Sequence, residues 1–174
     1  MTDKEIFEKA MHGDTSILNL PKERLMIHDN GNTPIHWLAC HGLIEILDLD
    51  KELLMIKDND GDTPIHRLAS LYCTKEILKL DKELLTIKNN DGCTPIHVLS
   101  WNKVKEILTL PKELLMINDK YGVTPVHCLA ERGIKEILNL PKELLMTKDK
   151  YGVTPVHCLA ERGVEIPEEL QYLI

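Results

Sequence analysis

Five histidines share one setting: His36, His66, His97, His127 and His157 each close a Thr-Pro-(Ile/Val)-His tetrapeptide. Histidine is the commonest metal ligand and general base, so such a row is the first place to look for chemistry. The spacing argues against both. The tetrapeptides begin at Thr33, Thr63, Thr94, Thr124 and Thr154, in steps of 30, 31, 30 and 30 residues. Equivalent residues on stacked helices stand roughly 8–10 Å apart, whereas zinc gathers its nitrogen and sulfur donors at about 2 Å around one point. Cys128 and Cys158 are equivalent in the same way, beyond the reach of about 7 Å between Cα atoms that a disulfide allows. They read as buried thiols acting as small apolar residues. Cys93, at a turn, is the thiol expected to be accessible. Ser16, Ser70 and Ser100 are the only serines, and none lies in a nucleophile-elbow setting. There is no Cys-x-x-Cys, phosphate loop or dinucleotide fingerprint. No catalytic residue, cofactor or metal is therefore expected. His12, His28 and His41 stand outside the pattern and read as surface or cap residues.

The elements that carry this row follow from the same tetrapeptide. Threonine at a helix N-cap accepts from an amide two or three residues on, and proline suits the first helical position because its missing N–H is not needed there. A helix thus begins at each Thr-Pro. Ile35, Leu38 and Ala39 fall at helical spacing and form one apolar face. Gly42, Gly133 and Gly163 are expected to stop that helix in the left-handed conformation, and Asn102 to do so in the unit beginning at Thr94. A second short helix carries Glu-Ile-Leu at Glu45, Glu76, Glu106 and Glu136, with Ile46, Leu47 and Leu49 expected on its inner side. Pro111 and Pro141 should end it at Leu110 and Leu140, followed by a short helical turn in Lys-Glu-Leu-Leu. A tight turn such as Asp119-Lys120-Tyr121-Gly122 closes each unit, glycine supplying positive φ. One such unit cannot bury its own apolar face; stacked neighbours can.

These motifs resemble the ankyrin repeat, whose signature is Thr-Pro-Leu-His followed by Ala after an Asp-x-x-Gly turn. The resemblance spans about residues 29–163 and recurs five times in register. It implies an all-α solenoid of stacked helix-turn-helix units joined by hairpin-like turns. It also implies that the repeated histidine is buried near the helix start, hydrogen-bonding between neighbouring units. One departure is constant: Glu136 lies only 18 residues before Thr154, about three fewer than the family pattern. A leucine-rich repeat is excluded by the lack of its Leu-x-x-Leu-x-Leu core. The helix stop is irregular at Ser70, Leu71, Tyr72 and Cys73, and again at Trp101, Asn102 and Lys103. The domain organisation expected is one domain over 1–174: an N-terminal cap repeat in 1–28, four full repeats in 29–153 and a truncated C-terminal cap in 154–174.

Composition fits this reading. There are 28 Leu and 17 Ile but only one Phe, two Trp and four Tyr, as expected where each stacking site takes an aliphatic chain. The formal net charge of -7 argues against a nucleic-acid partner. The longest apolar run is four residues, far short of a membrane span, and residues 1–30 lack a signal core. Five cysteines without close pairs suit a reducing compartment. The expected location is the cytoplasm, or the host-cell cytosol were the source an intracellular microbe.

Family partners are usually bound by the turn tips and the exposed ends of the first helices. Carried onto this chain, that concave face offers Trp37, Asp60, Asp62, Arg67, Asp91, Trp101, Lys120, Tyr121, Arg132, Lys150, Tyr151 and Arg162. It grades from acidic to basic-aromatic, and Tyr, Trp and Arg dominate binding hot spots. The function expected is a non-enzymatic, monomeric protein-interaction module with a protein partner. The alternatives are a stoichiometric enzyme inhibitor, like small all-ankyrin kinase inhibitors, and an enzyme with a site in the irregular third and fourth units.

Overall fold

The computed structural model describes all residues except Tyr72 and Cys73, so the expected irregularity there lies outside the described residues. The chain forms two compact units, 1–90 and 91–174. Their described residues are helical, without strands; a single isolated bridge pairs Asp29 with Asn32.

In the 1–90 unit, helix Asp3–Met11 opens the chain. Thr2 accepts from the Glu5 amide while the Glu5 carboxylate accepts from the Thr2 amide, so two orphan amides are satisfied at once. Its buried face is Ile6, Phe7 and Ala10. That helix packs against Pro34–Cys40, which packs in turn against Pro64–Ala69. In the 91–174 unit, Pro95–Trp101, Pro125–Glu131 and Pro155–Glu161 form the equivalent row. Each helix of that row starts at a threonine N-cap with proline next. In Pro125–Glu131, Pro125, Val126, His127, Leu129 and Ala130 are all buried. The expected buried thiols, Cys128 and Cys158, are buried and free, and Cys93 is half-buried.

The left-handed stops are borne out at Gly42, Gly133 and Gly163, each with φ 73°. Asn102 is a correction. It caps the helix at φ -85°, and the left-handed residue is Lys103, at φ 63°. Register decides this. Lys103 lies three residues before Glu106, as Gly42 lies three before Glu45 and Gly133 three before Glu136. The position is fixed by the strand of chain that follows, not by which nearby residue best tolerates positive φ.

The second helix is shorter than expected. It is one 3₁₀ turn of five residues at Ile44–Asp48, Lys105–Thr109 and Lys135–Asn139. Only the central isoleucine of each is buried: Ile46, Ile107 and Ile137, all 0 % exposed. Leu47 and Leu49, expected on the inner side, are half-buried. A 3₁₀ turn has three residues per turn, so a five-residue piece offers one position to the core. Leu110 and Leu140 then run extended, as residues before proline do. Lys112–Leu115 and Lys142–Leu145 form the short helical turns that follow. Leu49 is extended too, although Asp50 follows it, and Asp50 takes φ -52°, the value that Pro141 takes in its own repeat.

Two stability predictions come from these backbone positions. Lys103→Gly removes a left-handed penalty of about 1 kcal/mol and should raise the urea midpoint, whereas Lys103→Val should lower it. Asp50→Pro should stabilise by about 0.4–1 kcal/mol, because φ already fits and the unfolded chain loses freedom; a lowered midpoint would show that the Asp50 amide or carboxylate matters to the fold.

Candidate interaction surface

The row of histidines is consumed by the scaffold. In each described repeat, Nδ1 of the histidine accepts from the threonine backbone N–H three residues earlier. The distances are 3.2, 3.1, 3.1, 3.2 and 3.2 Å from Thr33 to Thr154. The threonine hydroxyl lies 2.7–2.9 Å from the same nitrogen. With two donors on Nδ1, the proton of the neutral ring resides on Nε2. That N–H donates across to the following turn: His36 to the Asp62 carbonyl at 3.1 Å, His97 to Val123 at 3.2 Å and His127 to Val153 at 3.1 Å. The link between neighbouring repeats implied by the family resemblance is present at these three positions. Burial lowers the pKa of His36 and His127, against an opposing pull from those carbonyls. Among the described residues, no group of three His, Cys, Asp or Glu side chains could hold a metal.

The turn tips are built by aspartate. Asp119 Oδ1 accepts from the Tyr121 and Val123 amides at 2.8 and 2.9 Å, and Asp149 does the same for Tyr151 and Val153 at 2.8 Å each. Neighbouring tips join edge to edge. Lys120 N–H donates to the Asp91 carbonyl at 2.9 Å, and Lys150 N–H to the Tyr121 carbonyl at 2.8 Å. Gly122 must be glycine on two counts: φ is 85°, and a Cβ would stand 2.9 Å from the Lys150 nitrogen.

In the 1–90 unit, three of the expected face residues are drawn together. Arg67 donates through Nε and Nη2 to Asp58 Oδ2 at 3.0 and 2.5 Å, and through Nη2 to Asp60 at 3.3 Å. Its Nε also lies 3.6 Å from Asp62. Asp58 is the partner that sequence reasoning missed. Its carboxylate is 2 % exposed and also accepts from the Asp60 and Asp62 amides at 2.9 Å. The signal was available, since Asp58 occupies the tip position of Asp119 and Asp149. Asp62 further accepts from Asn89 at 2.7 Å. Trp37 is half-buried in helix Pro34–Cys40.

In the 91–174 unit, the Arg132 guanidinium lies 4.8 Å from the Trp101 ring centre, a stack that sequence reasoning did not anticipate. Lys120 pairs with Asp91 at 2.5 Å and lies 5.0 Å from the Tyr121 ring centre. Tyr121, Tyr151 and Trp101 are 46 %, 77 % and 37 % exposed. Lys150, Arg132 and Arg162 are exposed as well.

The family model of the ankyrin repeat matches residues 30–57, from the Asn30 tip through the first Thr-Pro helix and the Lys51–Leu54 turn. A search of the curated proteins finds no match. The matched repeat and the repeated helical units agree with the resemblance read from the tetrapeptides, and the fold is an all-α ankyrin-repeat solenoid. No helix among the described residues is long and apolar enough to cross a membrane.

The neutral histidines make stability pH-dependent. His36 and His127 titrate below the ordinary value of 6.5 in the folded chain, so near pH 6 the unfolded chain binds more protons than the folded one. Their contribution is complete above pH 6.5 and is lost as pH falls through the lowered folded values. The melting temperature should therefore fall between pH 7.5 and 5, and His127→Asn should flatten part of that slope while lowering stability at pH 7.5 by about 1–3 kcal/mol. An unchanged slope in the variant would remove His127 from the account.

Proposed function

We propose that residues 1–174 act as one non-enzymatic, monomeric interaction module, binding a partner protein along the face made by the turn tips and the exposed ends of the first helices. Ankyrin repeats are a protein-interaction fold, and one is matched in this chain. The face would offer Trp37, Asp60, Asp62, Arg67, Asp91, Trp101, Lys120, Tyr121, Arg132, Lys150, Tyr151 and Arg162. The location proposed is the cytoplasm, or a host cell's cytosol.

One observation carries the choice of face. The recurring polar groups are committed to the scaffold: threonine and histidine at every Thr-Pro cap, and aspartate in the tips at Asp58, Asp119 and Asp149. Beside them, Tyr121 and Tyr151 stand exposed at the tips of two consecutive repeats. Tyrosine and arginine are residue types that dominate binding hot spots. Arg67 contributes differently from the others. Its guanidinium is held by Asp58, so its role on the face is to fix the positions of Asp60 and Asp62 rather than to reach out.

The test is capture from native lysate with quantification of the retained proteins. A Tyr121→Ala, Tyr151→Ala double variant should weaken retention of the partner by at least about 2 kcal/mol, or roughly thirtyfold in Kd. Unaltered retention by a double variant of unchanged circular dichroism would dismiss this face.

A further inference from the structure

We propose that the face of the 91–174 unit takes an extended acidic segment, whose carboxylates three residues apart engage Arg132 and Arg162. This deepens the interaction reading above and rests on it.

The first support is duplication. Residues 120–133 and 150–163 are identical, so the same lysine, tyrosine and arginine are presented twice. Arg132 and Arg162 are both C-cap residues, of helices Pro125–Glu131 and Pro155–Glu161, and these two helices pack directly against each other. Packed helices stand about 8–10 Å apart, and an extended chain rises about 3.3 Å per residue. Two carboxylates matched to the two arginines are therefore about three residues apart in an extended ligand.

The second support is charge. Asp119 and Asp149 turn one carboxylate oxygen each onto two backbone amides of their own tip. Asp91 is taken by Lys120. The ion pairs among the described residues leave out Arg132, Arg162 and Lys150. The Arg132 guanidinium lies over the Trp101 ring, and a guanidinium so placed can still take a carboxylate in the fork geometry arginine favours. Glu131 is half-buried, and burial raises its pKa against the pull of Arg162 and Arg132. Glu161, the equivalent carboxylate at the end of Pro155–Glu161, is exposed. Tyr121 and Tyr151, at the tips that precede these two helices, are accessible and offer apolar surface and a hydroxyl.

The equivalent positions of the 1–90 unit carry other chemistry. Asn59 and Asp60 stand where Lys120 and Tyr121 stand, and His41 stands at the helix cap where Arg132 does. Arg67 lies within its helix, at the position of Cys128, and is held by Asp58. Among the described residues of that unit, the first-helix caps are His41 and Ser70 and the tips carry no arginine or lysine, which assigns the segment to the 91–174 unit.

The experiment is fluorescence anisotropy of the full chain with three labelled 13-residue Gly/Ser/Leu peptides. One carries two glutamates at i and i+3, one carries them adjacent, and one carries lysines at i and i+3. The spaced glutamate peptide should bind at least about fivefold more tightly than either other, and 0.5 M salt should weaken it. Arg132→Gln, Arg162→Gln should reduce that affinity about tenfold or more, Arg132→Lys, Arg162→Lys should recover only part of it because lysine keeps the charge without the fork, and Arg24→Gln, at an arginine paired with Asp3 and outside the proposed face, should leave it unchanged. Equal binding of the three peptides, stronger binding of the lysine peptide, or no binding at all overturns the acidic-segment inference. If the tyrosine double variant still loses its captured partner in that case, the interaction face survives and only the ligand chemistry is wrong.

Discussion

The arrangement turns on a neutral imidazole that serves two repeats at once. Nδ1 closes the cap of its own helix by accepting from threonine, and Nε2–H reaches the carbonyl of the following turn in the cases of His36, His97 and His127. Both ends require the same tautomer, so the two contacts reinforce each other. A protonated ring would forfeit the acceptor and place a charge in a site that is 0–1 % exposed at these three positions. Replacing histidine by an aliphatic residue would leave the threonine amide and the carbonyl of the next turn unsatisfied. This is why a residue type associated with catalysis is here tied up in structure.

Around that link, each stacking site is small and is filled by aliphatic chains. Ile35, Ile65, Ile96 and Val126 occupy the same position on successive first helices, and all are 0 % exposed. Each such chain contributes about 1.5–3 kcal/mol on burial, and none is a dominant anchor. Outside the seam, lysine of one repeat pairs with glutamate of the next: Lys22 with Glu52, Lys51 with Glu83, Lys112 with Glu143. These pairs are largely exposed, so each adds about 0–1 kcal/mol. Their value lies in register, since a slip by one residue would set like charges or apolar groups against each other.

The sequence made the period, the caps and the isoleucine seam readable because each depends on a local rule: threonine before proline, glycine at positive φ, one buried residue per short turn. What it concealed depends on register or on contacts between turns. Asn102 looks like the natural left-handed residue from its chemistry, yet the spacing to Glu106 puts that conformation on Lys103. The helical spacing of Leu47 and Leu49 suggested a buried face, and a five-residue 3₁₀ turn has room for only one such position. Arg67 and Asp58 are nine residues apart and meet only because the tip folds back over the first helix. Trp101 and Arg132 come from different repeats and meet only when those repeats pack.

These concealed contacts are also what separates scaffold from surface. A charged or aromatic residue in a repeat protein has two fates. It can be absorbed by a neighbouring turn, as Asp58, Arg67 and Asp119 are, or it can remain at the edge, as Tyr151, Lys150 and Arg162 do. Composition does not distinguish the two, because both fates use the same residue types. Geometry does: an absorbed carboxylate has its oxygens on amides or a guanidinium, and little of its potential extends into solvent. By that criterion Arg67, which looked like a hot spot by type, organises the acidic tip. Arg132 instead lies over the Trp101 ring and stands outside the ion pairs among the described residues. A repeat surface is therefore specified less by which side chains vary than by which of them the adjacent turns leave unsatisfied.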